Sequence, residues 1–169
     1  DEPAQGKALR LQQQYFLVSC SLQDLLRLHQ LRGGRPDNLN EGFAIQLNDT
    51  HPALAIPELM RQLLDEHAMS WDDDWRIASE TFAYTNHTLL PEALETWPLP
   101  MFGRLLPRHL QIVYEINARF MDEVRGRFPD DYARQQRMSL IDDHGPGAVR
   151  KANLATVGSF SVNGVSALH

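Results

Sequence analysis

Two short stretches of the sequence concentrate side chains that form directional hydrogen bonds. Residues 48–52 read Asn-Asp-Thr-His-Pro, and residues 85–88 read Thr-Asn-His-Thr. Each stretch follows a short apolar run, and each leads within a few residues to Pro-Glu and a helical pattern. Carboxylate, imidazole and amide groups in such density suit the recognition of a ligand rich in hydroxyl groups, such as a sugar. The two stretches therefore predict one shared binding site.

The elements in front of the two stretches decide whether they can meet. Residues 43–47 and 81–84 are apolar and are predicted to be strands, with helices between them. Strands joined by a helical crossover are usually parallel, so both end at the same edge of the sheet. Ligands of such sheets bind outside the carboxyl ends of the strands. The predicted site residues are Asn48, Asp49, His51, Asn86 and His87.

A structural explanation and a metal site are the alternatives for these residues. In the structural explanation Asp49, Thr50 and Thr88 are helix caps, and both histidines are satisfied structural residues. It explains Thr50 well, whereas the pair of Asn86 and His87 fits it poorly. A metal site is disfavoured because His51 and His87 have no Cys partners and no His-Glu-x-x-His motif.

Composition disfavours several other classes of protein. The net charge of -6 is spread without long blocks, which argues against a nucleic-acid partner. No apolar stretch approaches the length of a membrane span, and the polar first residues do not resemble a signal peptide. Cys20 is the only cysteine, so a cytoplasmic setting is favoured, and its place on an apolar helical pattern predicts a small buried side chain. A Gly-rich phosphate loop and a Gly-x-Ser-x-Gly turn are absent from the sequence.

The remaining pattern predicts a helix-rich α/β fold with a few strands. Long amphipathic helices are predicted over residues 7–32 and from Pro107 to about residue 128, and a further helix follows Pro52. Ser70 is expected to cap the next helix. The shorter segments are predicted to be helices over residues 71–80, 91–97 and 161–169, and strands over residues 138–142 and 152–157.

Longer motifs carry a family resemblance. They read Gln-Leu-Asn-Asp-Thr-His-Pro at 46–52, Ile-Pro-Glu-Leu at 56–59, Tyr-Thr-Asn-His-Thr at 84–88, Leu-Pro-Glu-Ala-Leu-Glu at 90–95, Leu-Pro-Arg-His at 106–109, Tyr-Glu-Ile-Asn at 114–117 and Val-Asn-Gly-Val at 162–165. In order and spacing they resemble the alpha-glucan phosphorylases, the family of glycogen and maltodextrin phosphorylases, and bacterial members most of all. The resemblance implies that residues 1–169 are a single partial domain with a Rossmann-like glycosyltransferase fold. That domain would be the later part of the phosphorylase N-terminal domain, with the C-terminal cofactor domain absent.

The resemblance also implies a function. Family members cleave alpha-1,4-glucans with phosphate to give glucose 1-phosphate, as cytoplasmic homo-oligomeric glycosyltransferases that are often allosteric. They use pyridoxal phosphate, whose Schiff-base lysine belongs to the C-terminal domain and is therefore not expected in this chain. The chain would contribute the glucan side of the active-site cleft and would be inactive alone. The alternative, from another class, is a stand-alone carbohydrate-binding or assembly module without catalysis.

The family's site residues carry over to positions of this sequence. His87 matches the family histidine that contacts the transferred glucosyl unit, and Asp49 and His51 match residues that line the glucan side of the cleft. Asn48 and Asn86 accompany them, and Arg10, after the tail of the family's mobile loop, is a further candidate. None is a general acid or base in the family, so His87 is expected to position the sugar and stabilise charge. No cofactor-binding or metal-binding residue is assigned.

Overall fold

The computed structural model describes residues 4–88, 90 and 94–166. The helices are α1 (Ala4–Leu31), α2 (Leu39–Gly42), α3 (Ala55–Arg61), α4 (Trp71–Thr81), α5 (Leu99–Leu105), α6 (Pro107–Arg127), α7 (Tyr132–Met138) and α8 (Lys151–Val157). The strands are β1 (Ile45–Asn48), β2 (Phe82–Asn86), β3 (Thr96–Pro98), β4 (Ile141–Asp142), β5 (Ala148–Arg150) and β6 (Ser161–Gly164). A 3₁₀ turn precedes α2, and a π-helical turn at Gln62–Glu66 continues α3. The prediction of a helix-rich α/β chain is confirmed.

The larger sheet has three parallel strands in the order β1, β2, β6. The predicted parallel pairing of β1 with β2 is confirmed, and Leu47 lies opposite Tyr84. The predicted helix over residues 161–169 is wrong, because Ser161–Gly164 forms the third strand and residues 167–169 lie outside the described part. Hydrogen bonding to the second edge of β2 outweighs a weak local helical pattern.

The smaller sheet is antiparallel, in the order β3, β5, β4. The predicted strand over residues 138–142 is confirmed only at its end, in β4. The predicted strand over residues 152–157 is wrong, because this segment belongs to helix α8. Its buried residues are Lys151, Leu154 and Ala155, a spacing that matches one helical face and not a strand.

The predicted helix over residues 91–97 divides into two parts. Residues 91–93 lie outside the described part of the chain. Thr96 and Trp97, at its end, belong to strand β3 and pair with β5, so the prediction is wrong there. Trp97 is buried by this pairing, and its burial supplies a stabilisation that the local sequence pattern does not reveal.

The long helices follow the predicted periodicity. Helix α1 buries Leu11, Leu22 and Leu26 in the core and packs against α3, and α6 likewise buries one apolar face. The predicted cap of α4 is confirmed, because the Ser70 side chain accepts a hydrogen bond from the Asp73 N–H. The expectation of a buried Cys20 is wrong. Cys20 is exposed because it lies outside the face of α1 that carries the buried residues.

One hydrophobic core lies between the larger sheet and the surrounding helices. It includes Leu47 and Phe82 from the sheet, Ile56 and Leu59 from α3, and Val113 from α6. Burial of this apolar surface holds β1 and β2 in place, so the loops that follow them start from a rigid base. Across the described residues, no helix combines the length and apolar character that crossing a membrane would need.

Candidate functional site

The loop after β1 turns at Asp49. Its φ of 70° lies in the left-handed region, which Asp enters more readily than most residues because its short side chain bonds locally. The Thr50 N–H donates to the Asp49 carboxylate at 2.6 Å, and the Asp49 N–H donates to the Thr85 carbonyl at 3.0 Å. The turn is therefore attached to the neighbouring strand β2.

The capping explanation fails for Thr50 and does not describe Asn86. Helix α3 begins at Ala55, with Leu54 at its N-cap and no side-chain cap. Thr50 is instead buried in the turn before the helix. Asn86 has a structural bond of another kind, because its Oδ1 accepts from the Thr88 N–H at 2.7 Å. This Asx turn directs the chain after β2, with His87 at its centre.

The two loops meet at the carboxyl edge of the parallel sheet. His87 Nε2 lies 2.5 Å from Asn48 Oδ1, and both side chains are exposed. A second chain of bonds runs along the same edge, because Thr85 Oγ1 accepts from Gln46 at 2.7 Å and donates to Asn163 at 2.9 Å. Three adjacent strands thus carry hydrogen-bonding side chains that are linked to one another across the sheet.

His51 lies near Glu95. Its Nε2 lies 4.0 Å from Oε1 of Glu95, and its side chain is 61% exposed. The same oxygen of Glu95 accepts from Arg10 at 3.5 Å. The other oxygen, Oε2, accepts from Lys151 Nζ at 2.5 Å. Glu95 therefore joins His51 and Arg10, two of the candidates from the sequence, to the ammonium group of Lys151.

Burial shapes the pKa of both partners of the Glu95–Lys151 pair. Burial is the largest influence on the pKa of Glu95 and raises it, but the hydrogen bond and the charge of Lys151, with smaller electrostatic contributions from neighbouring groups, together leave that pKa below its usual value. Burial lowers the pKa of Lys151, and Glu95 opposes the fall. The Lys151 side chain is only 4% exposed and lies over the Trp97 ring, with Nζ 5.0 Å from its centroid. The ammonium group thus depends on Glu95 for its charge partner.

A pocket of about 280 Å³ opens beside this cluster. Glu95, Arg10 and Lys151 line it, together with Gln14 and Trp97. Gln14 Oε1 and Trp97 Nε1 are buried without a hydrogen-bonding partner among the described residues. Asn48 and His87 lie outside the lining, so the pocket adjoins the loop crevice through Glu95 and His51.

A buried tyrosine lies below the turn. Tyr84 stands in the middle of β2 and is almost fully buried. Burial, aided by the charge of Asp49, raises the pKa of Tyr84 to about 12. Its hydroxyl therefore stays neutral across the physiological range, which makes it a fixed dipole beneath the site and not a proton carrier.

Comparison with known proteins identifies the family. The family model of the carbohydrate phosphorylases matches residues 1–169. The chain belongs to this family. It is 59% identical to the glycogen phosphorylase of Synechocystis over 100% of this chain and 20% of that protein. It is 49% identical to the sheep liver form over 98% of this chain and 20% of that protein, and 47% identical to the glycogen phosphorylase of Chlamydia pneumoniae over 100% and 20%. It spans about one fifth of these phosphorylases.

Phosphorylases are expected to bind pyridoxal phosphate through a lysine, and the residues of this chain do not fit that role. The sequence contains two lysines, Lys7 and Lys151. The amine of Lys151 is held by Glu95 and covered by Trp97. Lys7 is exposed at the start of α1, without the desolvated surroundings that activate a Schiff-base lysine. No catalytic step of this chain is therefore assigned to the cofactor.

Sequence reasoning missed the pair of Glu95 and Lys151, which lines the pocket beside the loops. Glu95 is the last residue of the motif at residues 90–95 and received no role of its own. Lys151 directly precedes a segment that was predicted to be a strand. The register of the smaller sheet brings them together, because Thr96 lies opposite Arg150. No signal in the sequence marked this pair, because Lys151 follows Arg150 directly and nothing in the local pattern shows that one of the two side chains is buried.

Proposed function

We propose that this chain forms the glucan-facing wall of the active-site crevice in a glucan phosphorylase. That enzyme cleaves alpha-1,4-glucans with phosphate and releases glucose 1-phosphate. Residues 1–169 are the later part of its N-terminal domain. The observation that carries the proposal is the contact of 2.5 Å between His87 and Asn48 at the shared carboxyl edge of two parallel strands. Such an edge is where open α/β sheets bind ligands.

Each residue has a distinct part in this function. His87 contacts the glucosyl unit that is transferred, and its bond to Asn48 fixes the orientation of the imidazole. Asn86 holds the turn that presents His87. Asp49 and His51 line the glucan side. As the glycosidic bond breaks, the ring becomes oxocarbenium-like, and oriented polar groups stabilise it without themselves moving a proton.

The rest of the enzyme supplies the remaining functions. Pyridoxal phosphate and most groups that bind phosphate lie on residues beyond this chain, so the chain alone has no turnover. The enzyme acts in the cytoplasm as a homo-oligomer. A stand-alone carbohydrate module is the competing outcome of the first experiment, in which the 169-residue chain and the complete natural protein containing it are assayed with maltodextrin and phosphate. If the complete protein releases glucose 1-phosphate and the 169-residue chain does not, the proposal is supported. Tight maltooligosaccharide binding by the chain, with no turnover by the complete protein, favours the module.

The sharper test is His87→Ala in the complete protein. Loss of an oriented polar group in the crevice should lower kcat about 100-fold while pyridoxal phosphate stays bound. The measurements are the initial rate of phosphorolysis and the absorption spectrum of the cofactor. His144→Ala is the matched control, because His144 is also an exposed histidine with an oxygen partner, Asp142, at 2.6 Å. Equal rates for the two variants would remove His87 from the site.

A further inference from the structure

Glu95 uses its two carboxylate oxygens differently. Oε2 is bonded to the buried Lys151 at 2.5 Å. Oε1 lies 3.5 Å from Arg10 and 4.0 Å from His51, and Glu95 lines the pocket beside the loops. One oxygen is thus committed to the protein interior, and the other is shared between two groups at the surface. Both distances exceed the roughly 2.7–2.9 Å of a charge-assisted hydrogen bond, so these two contacts are weaker than the bond to Lys151.

The four side chains come from separate parts of the chain. Arg10 is on α1, His51 is in the loop after β1, Glu95 precedes β3 and Lys151 begins α8. Lys151 keeps its ion pair with Glu95, because its side chain is only 4% exposed and an unpaired buried ammonium group is destabilising. It therefore holds Glu95 in one place, and Glu95 is itself only 29% exposed. The carboxylate is the one group that contacts all three others.

We propose that Glu95 is a positioning residue of the glucosyl crevice, which holds His51 and Arg10 against the wall through its anchor on Lys151. This inference rests on the proposed function. Without the Glu95 carboxylate, His51 loses the contact that orients it. The guanidinium of Arg10 loses Glu95 Oε1 as an acceptor. The side chains of His51 and Arg10 then adopt many orientations. Ordering them as the transition state forms costs entropy and raises the activation free energy.

The experiment compares four variants of the complete natural protein, namely Glu95→Gln, Glu95→Gln with Lys151→Met, Glu95→Asp and the control Asp65→Asn. Glu95→Gln removes the charge and leaves Lys151 unpaired. Glu95→Gln with Lys151→Met also removes the buried charge, and Met fills a similar volume. Asp65→Asn is the control, since Asp65 forms a two-bond ion pair with Arg108 away from the crevice. Thermal midpoints, kcat, and KM for a maltooligosaccharide and for phosphate are measured for each variant.

The expected pattern separates positioning from folding. Glu95→Gln should lower both the thermal midpoint and kcat/KM for the maltooligosaccharide, the latter about tenfold, from the loss of a charged hydrogen bond. The double variant should regain the thermal midpoint but keep the tenfold loss, with KM for phosphate within about twofold of the parent value. Glu95→Asp, which retains the charge at shorter reach, should recover the thermal midpoint and only part of kcat/KM.

Three outcomes would overturn the inference. In the first, the double variant regains both the thermal midpoint and kcat/KM, which would make Glu95 a purely structural partner of Lys151. In the second, Glu95→Gln is as active as Asp65→Asn. In these two cases the proposed function stands, because the parent protein still releases glucose 1-phosphate. If the parent protein releases none, the proposed function fails and the inference fails with it.

Discussion

Two carboxylates, Glu58 and Glu95, each join several elements of this fold, but they do so in different surroundings. Glu58 is fully buried between α3 and α6, where His109 lies 2.5 Å away. Arg61 donates to it twice, at 2.9 and 3.0 Å, and Gln62 donates at 2.8 Å. Glu95 has one short bond and two longer contacts, and it faces a pocket.

The difference in hydrogen bonding between Glu58 and Glu95 indicates which of the two carboxylates can still interact with a ligand. Although burial would raise it, hydrogen bonds from His109, Arg61 and Gln62 hold the pKa of Glu58 well below its usual range. Every acceptor direction of Glu58 is used inside the protein, so it serves the fold. Glu95 has one oxygen with only two longer contacts, 3.5 Å to Arg10 and 4.0 Å to His51. A fully bonded interior carboxylate stabilises the fold, whereas a partly bonded one at the edge can also respond to a ligand.

The largest expected effect follows from breaking the buried network. Glu58→Ala leaves Arg61 and His109 without their shared partner, so the free energy of unfolding should fall by about 3–5 kcal/mol. Urea denaturation of the chain measures it. Glu66→Ala is the control, because Glu66 also accepts from Arg61, at 2.8 Å, but is exposed, and its loss should cost less than about 1 kcal/mol. Equal losses for the two variants would contradict the assignment of Glu58 as a structural centre.

A third carboxylate sharpens the comparison because it is buried without partners. Both oxygens of Asp74 lack a hydrogen bond within the described residues. Burial, with a smaller contribution from Asp73, raises the pKa of Asp74 from 3.8 to about 7. A carboxyl group with a raised folded-state pKa adds stability below its unfolded pKa, and this is lost as pH rises through the folded value. Asp74 therefore lowers the stability of the fold progressively as pH rises from its unfolded-state pKa of 3.8 to about 7, and above that value the penalty is constant.

The matching experiment uses Asp74→Asn, which is neutral at every pH. The stability of the parent chain relative to this variant should fall by about 2 kcal/mol between pH 5 and pH 8. Urea midpoints at several pH values measure this difference. Asp130→Asn, at an exposed turn, should show no such trend. A pH-independent difference for Asp74→Asn would mean that this carboxyl group is solvated in solution.

The smallest effect is expected at an exposed ion pair. Arg108 donates two bonds to Asp65, at 2.7 and 2.9 Å, the same fork geometry that Arg61 has with Glu58. Asp65→Asn should lower the free energy of unfolding by less than about 1 kcal/mol, because water screens the pair. A loss as large as that of Glu58→Ala would show that the two-bond geometry, and not burial, decides the contribution.

Local patterns were sufficient for the parts of the fold that local forces determine. The amphipathic spacing of α1 and α6 and the Ser70 cap are properties of neighbouring residues, so those elements could be predicted. Residues 161–164 and 152–157 were assigned wrongly because each segment is short, and the edge of β2 and the core choose its form. Strand pairing is a contact between distant residues, which a single sequence does not display.

The candidate site also has one part that could be predicted from the sequence and one part that could not. The meeting of Asn48 and His87 follows from the rule that parallel strands end at one edge, and it could be reasoned out in advance. The Glu95–Lys151 pair joins residues 56 positions apart through the antiparallel register of β3 with β5. No periodicity or motif spacing in the sequence encodes that register, so the second half of the candidate site required the structure.

The left-handed backbone of Asp49 has a consequence for the choice of variants. A change to Ala at this position would alter the charge and the preferred backbone conformation together, because Ala resists a φ of 70°. Asn accepts the same conformation and offers the same side-chain oxygen to the Thr50 N–H. The geometry therefore separates the electrical role of this residue from its conformational role, and Asp49→Asn changes only the first.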